Sequence, residues 1–157
     1  MTEKALAINP SDWRAWLDLG LANEWLNRKA EAERAFHNEQ SRLETIFKVR
    51  GDDAELQAEL GLLYSRWQLR EKSTAFIEAA LARAPDDPTV LVTASEAYEN
   101  LGNRSRALIL VQQALAQGAS LEDLQNDPGQ QRLIQDSRFR EIASQFKNNS
   151  NIARPQP

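Results

Sequence analysis

Cysteine is absent from this 157-residue chain and histidine occurs once. That removes disulfides, thiolate zinc sites, cysteine nucleophiles and histidine-rich metal clusters together. Strand patterning is also missing: Val and Ile are scattered, Thr is rare, and no segment alternates apolar and polar residues over five or six positions. No apolar run approaches the roughly eighteen residues that a membrane-spanning helix requires. Residues 1–10 lack the basic start and long apolar middle of a signal peptide, so the expected location is the cytoplasm. Positive charge is in slight deficit, 19 Lys and Arg against 23 Asp and Glu, which argues against nucleic acid as the partner. No phosphate-cradling glycine loop, dinucleotide fingerprint or hydrolase elbow occurs. The expectation is therefore a protein that is not an enzyme and takes no metal or cofactor.

What the chain does have is helix-forming sequence: Ala, Leu, Glu, Gln and Arg dominate, with apolar residues three and four apart in segments of about fourteen. Hydrophobic residues make up 41%, enough for a packed core. Breakers separate the segments: Pro10-Ser11-Asp12, Gly51-Asp52-Asp53, Pro85-Asp86-Asp87-Pro88, and Gly118 with Ser120. Their acidic residues are expected to cap helices, most clearly Asp87, whose carboxylate can accept from orphan N–H groups while Pro88 occupies the first turn.

The segments repeat. A shift of 34 brings Leu60 onto Ala94, Gly61 onto Ser95, Tyr64 onto Tyr98, Trp67 onto Leu101, Ser73 onto Ala107, Ile77 onto Val111, Ala80 onto Ala114 and Leu81 onto Leu115. Toward the N-terminus the shift becomes 41, pairing Leu19 with Leu60, Gly20 with Gly61, Leu26 with Trp67, Ala32 with Ser73 and Phe36 with Ile77, so seven residues have been added after Phe36. Seven residues turn a helix by about 700°, some 20° short of two turns, so Phe36, Leu43, Ile46 and Phe47 stay near one stripe. One helix of about 20 residues is predicted between Lys29 and Arg50, projecting beyond the neighbouring pair.

The period and its anchors resemble the tetratricopeptide repeat: Trp16, Leu19-Gly20, Ala32 and Phe36 in the first unit, Leu60-Gly61, Tyr64, Ala80 and Pro85 in the second, and Tyr98, Leu101-Gly102, Ala107 and Ala114 in the third. Asn23, Ser95 and Ala119 depart from the usual aromatic, glycine and proline. The resemblance implies an all-α fold, a right-handed superhelix of antiparallel helical hairpins (an α-solenoid) with a C-terminal capping helix. Residues 1–118 form the array, with a partial unit at 1–12 and units at 13–53, 54–87 and 88–118. Residues 119–147 supply capping helices, resembling the closing stretch after repeats in many bacterial signalling proteins, and 148–157 are expected to be disordered. Ala5, Leu6 and Pro10 resemble the end of an earlier unit. That leaves Leu6 and Ile8 without first-helix partners, an edge where a fragment has been cut or a second copy could dock. His37 should turn away from the buried stripe.

In the resembling family, first helices line an inner face that binds peptides or helices of partner proteins. Carried over, the candidate groove is Arg14, Leu17, Leu21, Glu24 and Trp25, then Glu55, Ala58, Leu62, Ser65 and Arg66, then Thr89, Val92, Glu96, Glu99 and Asn100. Leu17, Leu21 and Glu59 stand where family members that clamp a terminal carboxylate have Lys and Asn, which disfavours that ligand. Apolar residues at one end and Glu55, Glu96 and Glu99 elsewhere suit a basic or amphipathic segment. The expected function is a non-catalytic protein-interaction module, with the regulatory region of a signalling protein as the setting that the resemblance implies. Self-assembly is the alternative and RNA binding by helical repeats a weaker one.

Overall fold

The first helices begin where an aspartate can cap them. The computed structural model describes residues 7, 9 and 11–152, with side chains only as far as Lys147. Within it Asp12 accepts from Arg14 N at 3.0 Å, Asp53 from Leu56 N at 3.0 Å, and Asp87 from Thr89 N at 2.8 Å and Val90 N at 3.0 Å. Each bond satisfies orphan N–H groups and is worth about 1 kcal/mol. The helices that follow are α1 (Trp13–Trp25), α3 (Ala54–Arg66) and α5 (Pro88–Asn100).

Each first helix ends in the same way. Asn27, Gln68 and Gly102 take left-handed φ values of 58°, 56° and 77°, and the next residue donates back to the helix: Arg28 N to Asn23 O at 2.8 Å, Leu69 N to Tyr64 O at 3.0 Å, Asn103 N to Tyr98 O at 2.8 Å. Gln68 adopts this conformation without glycine's freedom. Its side chain also donates to Ser65 O at 3.2 Å and to Asn100 O at 3.0 Å, tying the turn to the next first helix. These turns lead into α2 (Lys29–Phe47), α4 (Arg70–Arg83) and α6 (Arg104–Ala116), each packed along its predecessor as a hairpin.

The repeat spacing survives as repeated packing. Tyr64 donates to Glu44 Oε1 at 2.8 Å, and Tyr98 donates to Glu78 thirty-four residues further on. Lys72 lies 5.4 Å above the Tyr64 ring and Arg106 6.0 Å above that of Tyr98. Gly20 packs so closely on the Phe36 ring that a Cβ there would overlap it, and a Cβ on Gly61 would lie 2.6 Å from Ile77 Cγ1. Helices this close need small residues. Ala80, Ala107 and Ala114 are wholly buried in the same seam. Replacing Ala107 by Phe should overpack it at a cost of about 1–3 kcal/mol and lower the melting temperature; an unchanged melt would place Ala107 outside the seam.

The long second helix is present, 19 residues against 13 in α1 and α3. It does not stand clear of its neighbours as expected. Leu43 is fully buried among Trp13, Leu56, Leu60, Leu63 and Tyr64, and Phe47 meets Phe76 edge-on at 5.2 Å. Because seven residues nearly complete two turns, the added length carries the apolar stripe onto α3.

A larger cluster joins the second and third hairpins to the C-terminal segment. This segment comprises α7 (Leu121–Asn126), a 3-10 turn (Pro128–Gln130), α8 (Gln131–Ile134) and α9 (Ser137–Ile152). Leu124, Leu133, Phe139 and Ala143 are buried in that cluster. Asp136, accepting from Arg138 N at 2.9 Å, separates α8 from α9. α9 also continues to Ile152, so the backbone of 148–152 is helical where composition implied a disordered tail. A packed amphipathic stretch nucleates the helix, and extending it costs little. The partial unit centred on Leu6 and Ile8, and residues 153–157, lie outside the described residues. The fold is all-α, with no strand among the described residues. No helix among them is long and apolar enough to cross a membrane.

Candidate functional site

The fifteen groove residues divide according to how the hairpins meet. α3 and α5 pack directly together, which buries Ala58 (0% exposed), Leu62 (4%) and Ser65 (0%). These three therefore form an interior seam and not an open lining. The first hairpin rests on the second mainly through α2, and α1 meets α3 through Trp13, which is buried with Leu56, Leu60 and Leu63, and through Leu17 packed against that cluster. The equivalent α1 residues keep their surface: Leu17 and Leu21 are half-buried, Glu24 is exposed, and Trp25 is 88% exposed. Arg14 is exposed beside its neighbour Trp13, its guanidinium 4.3 Å from that ring centre. Glu55 and Thr89 are exposed.

On α5 the C-terminal segment covers the remainder. Gln130 Nε2 donates to Ser95 Oγ at 3.0 Å and to Val92 O at 3.4 Å, Gly129 lies against the Glu96 carboxyl group, and Arg132 donates to Asn100 Oδ1 at 3.3 Å. Asn100 in turn donates to Ser65 Oγ at 3.1 Å. Glu99 is buried and ion-paired with Arg104. The cap thus takes the place a further first helix would occupy, and Val92, Glu96, Glu99 and Asn100 serve mainly as its seat.

The charged centre of the molecule is Arg66. Its Nη2 lies 3.3 Å from Glu96 Oε1, and its Nη1 lies 3.8 Å from Glu39 Oε1 on α2. Glu59, two turns earlier on α3, completes a group of three carboxylates around one guanidinium. Burial is the largest influence on all three and raises each pKa. Glu39 is pushed up to about 8, with Arg66 opposing and Glu59 and Glu96 reinforcing the rise. Glu59 is pushed up to about 7, and Glu96 is raised, with Asp127 adding to the effect. Glu39 is 1% exposed, and neither carboxylate oxygen has a hydrogen-bond partner among the described residues. An unsatisfied buried carboxyl group is costly, so its place in the fold calls for explanation.

Sequence reasoning passed over Glu39. Counting forward by either repeat spacing exposes it: 41 residues on is Ala80, and 34 on is Ser73, both buried. A glutamate therefore stands where the array elsewhere has a small residue. A cavity of about 440 Å³ opens between the first two hairpins, lined by Lys29, Ala32, Glu33 and Phe36 of α2, Arg66 and Trp67 at the end of α3, and Glu24 and Asn27 at the end of α1; Arg66 is the residue it shares with the carboxylate group, and Glu39 does not line it. His37 is exposed, as its helical position implies, and stacks on the Trp67 ring at 4.7 Å. No group of three or more His, Asp or Glu among the described residues has the arrangement of a metal site. The arrangement places the partly exposed apolar surface of α1 near buried carboxyl groups that share one guanidinium and are held toward their neutral forms. No protein-family model matches the chain, and no curated protein matches it.

Proposed function

We propose that the chain is a tetratricopeptide-type array, wound as a right-handed superhelix, that works without catalysis as a docking module for a peptide or helix of another protein. The single observation behind this reading is the uncovered face of α1. Leu62, which lies under α5 in the second hairpin, corresponds in the first to Leu21, which stays partly exposed while Leu17 packs on the Trp13 cluster, and Trp25 and Leu26 beyond it are 88% and 52% exposed. Large apolar groups left exposed together mark interaction surfaces. The caps, left-handed turns and tyrosine contacts that recur with the repeat spacing support the family resemblance.

The test is quantitative affinity capture from cells that make the protein, comparing wild type with Trp25→Ala and Leu21→Asp. Both substitutions fall on exposed or half-buried positions, so the variants should fold, as circular dichroism will verify. A defined set of proteins should fall by roughly tenfold in both variants, consistent with the loss of an aromatic anchor. An identical capture profile from wild type and variants would refute the reading. Light scattering should give a monomer mass at all concentrations; association abolished by Trp25→Ala would favour self-assembly instead.

A further inference from the structure

We infer that the edge of the array formed by its hairpin turns receives an acidic segment of a partner protein, one bulky apolar side chain of which enters the cavity between the first two turns while its oxygens take the donors of Asn27, Arg28 and Lys29. This deepens the docking-module reading, on which it rests, with a place and a ligand chemistry.

Antiparallel hairpins bring all three turns to one edge, and the second and third turns are tied together there. Gln68 Nε2 donates to Asn100 O at 3.0 Å, and Arg70 Nη2 donates to Leu101 O at 2.7 Å. Forty-one residues earlier, at the corresponding repeat positions, stand Asn27 and Lys29. They carry the same kinds of donor, but their side chains make no hydrogen bond among the described residues. Both line the cavity of about 440 Å³ between the first and second turns, together with Ala32, Phe36 and Trp67. The first turn thus presents the bridging groups of the second with nothing to bridge to, beside an apolar wall.

Charge and exposed apolar surface set the chemistry of what fits. Arg28, Lys29, Arg70, Lys72 and Arg106 in these turns, and Arg132 of the cap beside them, form no ion pair among the described residues. Glu24, Glu31, Glu33 and Glu71 are the acids left uncommitted on the same edge, because Glu99 and Asp136 are already paired with Arg104 and Arg138. Cations therefore prevail here, on a chain whose formal charge is -4. At the opposite edge, where one hairpin leads to the next, Asp52, Asp86, Glu122 and Asp123 stand exposed. The turns also expose large apolar groups: Trp25 and Leu26 directly precede Asn27, and Leu69 separates Gln68 from Arg70.

An acidic segment meets all of these groups at once. Its carboxylates pair with Arg28 and Lys29, its carbonyl oxygens accept from Asn27 as the third turn accepts from Gln68, and one leucine or aromatic side chain fills the space among Ala32, Phe36 and Trp67. A bilayer surface could not enter the cavity, and Glu24 and Glu33 at its rim would repel an anionic one. The sign is opposite to the one the acidic groove residues implied, because Glu96 and Glu99 are taken up by Arg66, Arg104 and the cap.

A phage-displayed library of random dodecapeptides, selected on the full chain, supplies the probe. Selected sequences should be enriched in aspartate and glutamate around one leucine or aromatic residue. The leading peptide, followed by fluorescence anisotropy, should lose roughly tenfold or more in affinity when its acids become Asn and Gln, and as much when its apolar residue becomes alanine. Arg28→Gln combined with Lys29→Gln, both at exposed positions, should weaken it by roughly tenfold. Lys48→Gln, exposed at the other end of the same helix, should leave it unchanged. Benzoylphenylalanine at the apolar position should crosslink to residues that line the cavity.

Selection of basic or neutral peptides, or of none, overturns the proposal, as does an equal loss in Lys48→Gln, which would mean unspecific attraction to any lysine. If the selected peptides lose affinity with Leu21→Asp but not with the Arg28 and Lys29 changes, and crosslink to α1, the docking module stands and the acidic turn-edge site falls. Vesicles of phosphatidylserine and phosphatidylcholine should leave the chain in solution on sedimentation. Cosedimentation abolished by the Arg28 and Lys29 changes would identify a membrane as the occupant and overturn the proposal in another way.

Discussion

The melting temperature of the chain should fall steadily from about pH 5 to about pH 8.5, and Glu39→Gln should reduce that slope, leaving the part that Glu59 and Glu96, whose pKa values are also raised, contribute with the same sign. The sign follows from the direction of the shift. Burial raises the Glu39 carboxyl group from 4.5 to about 8, so between those values the folded chain holds a proton that the unfolded chain has released. The stabilisation is complete below about pH 4.5 and is lost as pH rises through about 8. The full gap corresponds to at most about 5 kcal/mol, and water drawn toward Glu39 would lower that to roughly 2 kcal/mol. For a chain of this size roughly 2 kcal/mol is about 5 °C of melting temperature. Glutamine keeps the shape and cannot ionise, so the variant should be the more stable protein at alkaline pH. Asp136 and Glu44 do not interfere, since their pKa values are lowered and they lose stability only as the solution becomes acidic. Calorimetry across that range decides the matter, and parallel profiles for the two proteins would mean that Glu39 is ionised and compensated in the fold.

Phe139→Ala should be the most damaging single truncation, costing about 3–5 kcal/mol. Phe139 is the bulkiest of the side chains buried to within 2% and belongs to the cluster that joins the cap to the second and third hairpins. Its loss should act unevenly. In a stack where each unit touches mainly its neighbours, damage at one end propagates weakly to the other. Hydrogen exchange should therefore show α7, α8 and α9 losing protection first, with α1 and α2 retaining theirs. Uniform loss along the chain would mean that the array folds as one indivisible unit and that the cap is integral to the first hairpin as well.

Much of this architecture was legible because it rests on local chemistry. Asp12, Asp53 and Asp87 announce helix starts in any sequence, and Gly20 and Gly61 mark close approach before a partner is known. The groove was less legible, because which first helices touch is decided between hairpins. Leu21 and Leu62 carry the same side chain at equivalent positions of the repeat, yet one is partly exposed and the other is 4% exposed. Only the placement of α5 over α3 distinguishes them. Glu99 looked like acidic surface and is a buried partner of Arg104, a pairing set five residues away across a turn. Glu39 was hidden by the added residues, which made its repeat position ambiguous while its helix remained regular.

The insertion in α2 also bears on how such a module can change. A helix tolerates altered length only when its phase is preserved: seven residues lag two turns by about 20°, and eleven lead three turns by about the same. An addition of five would rotate Leu43 and Phe47 by about 140° and present them to water. The segment therefore behaves as a ruler with few permitted settings, each of which extends α2 further along α3. Changes in the reach of this helix would therefore come in steps of about two turns, and point substitutions could not reproduce them.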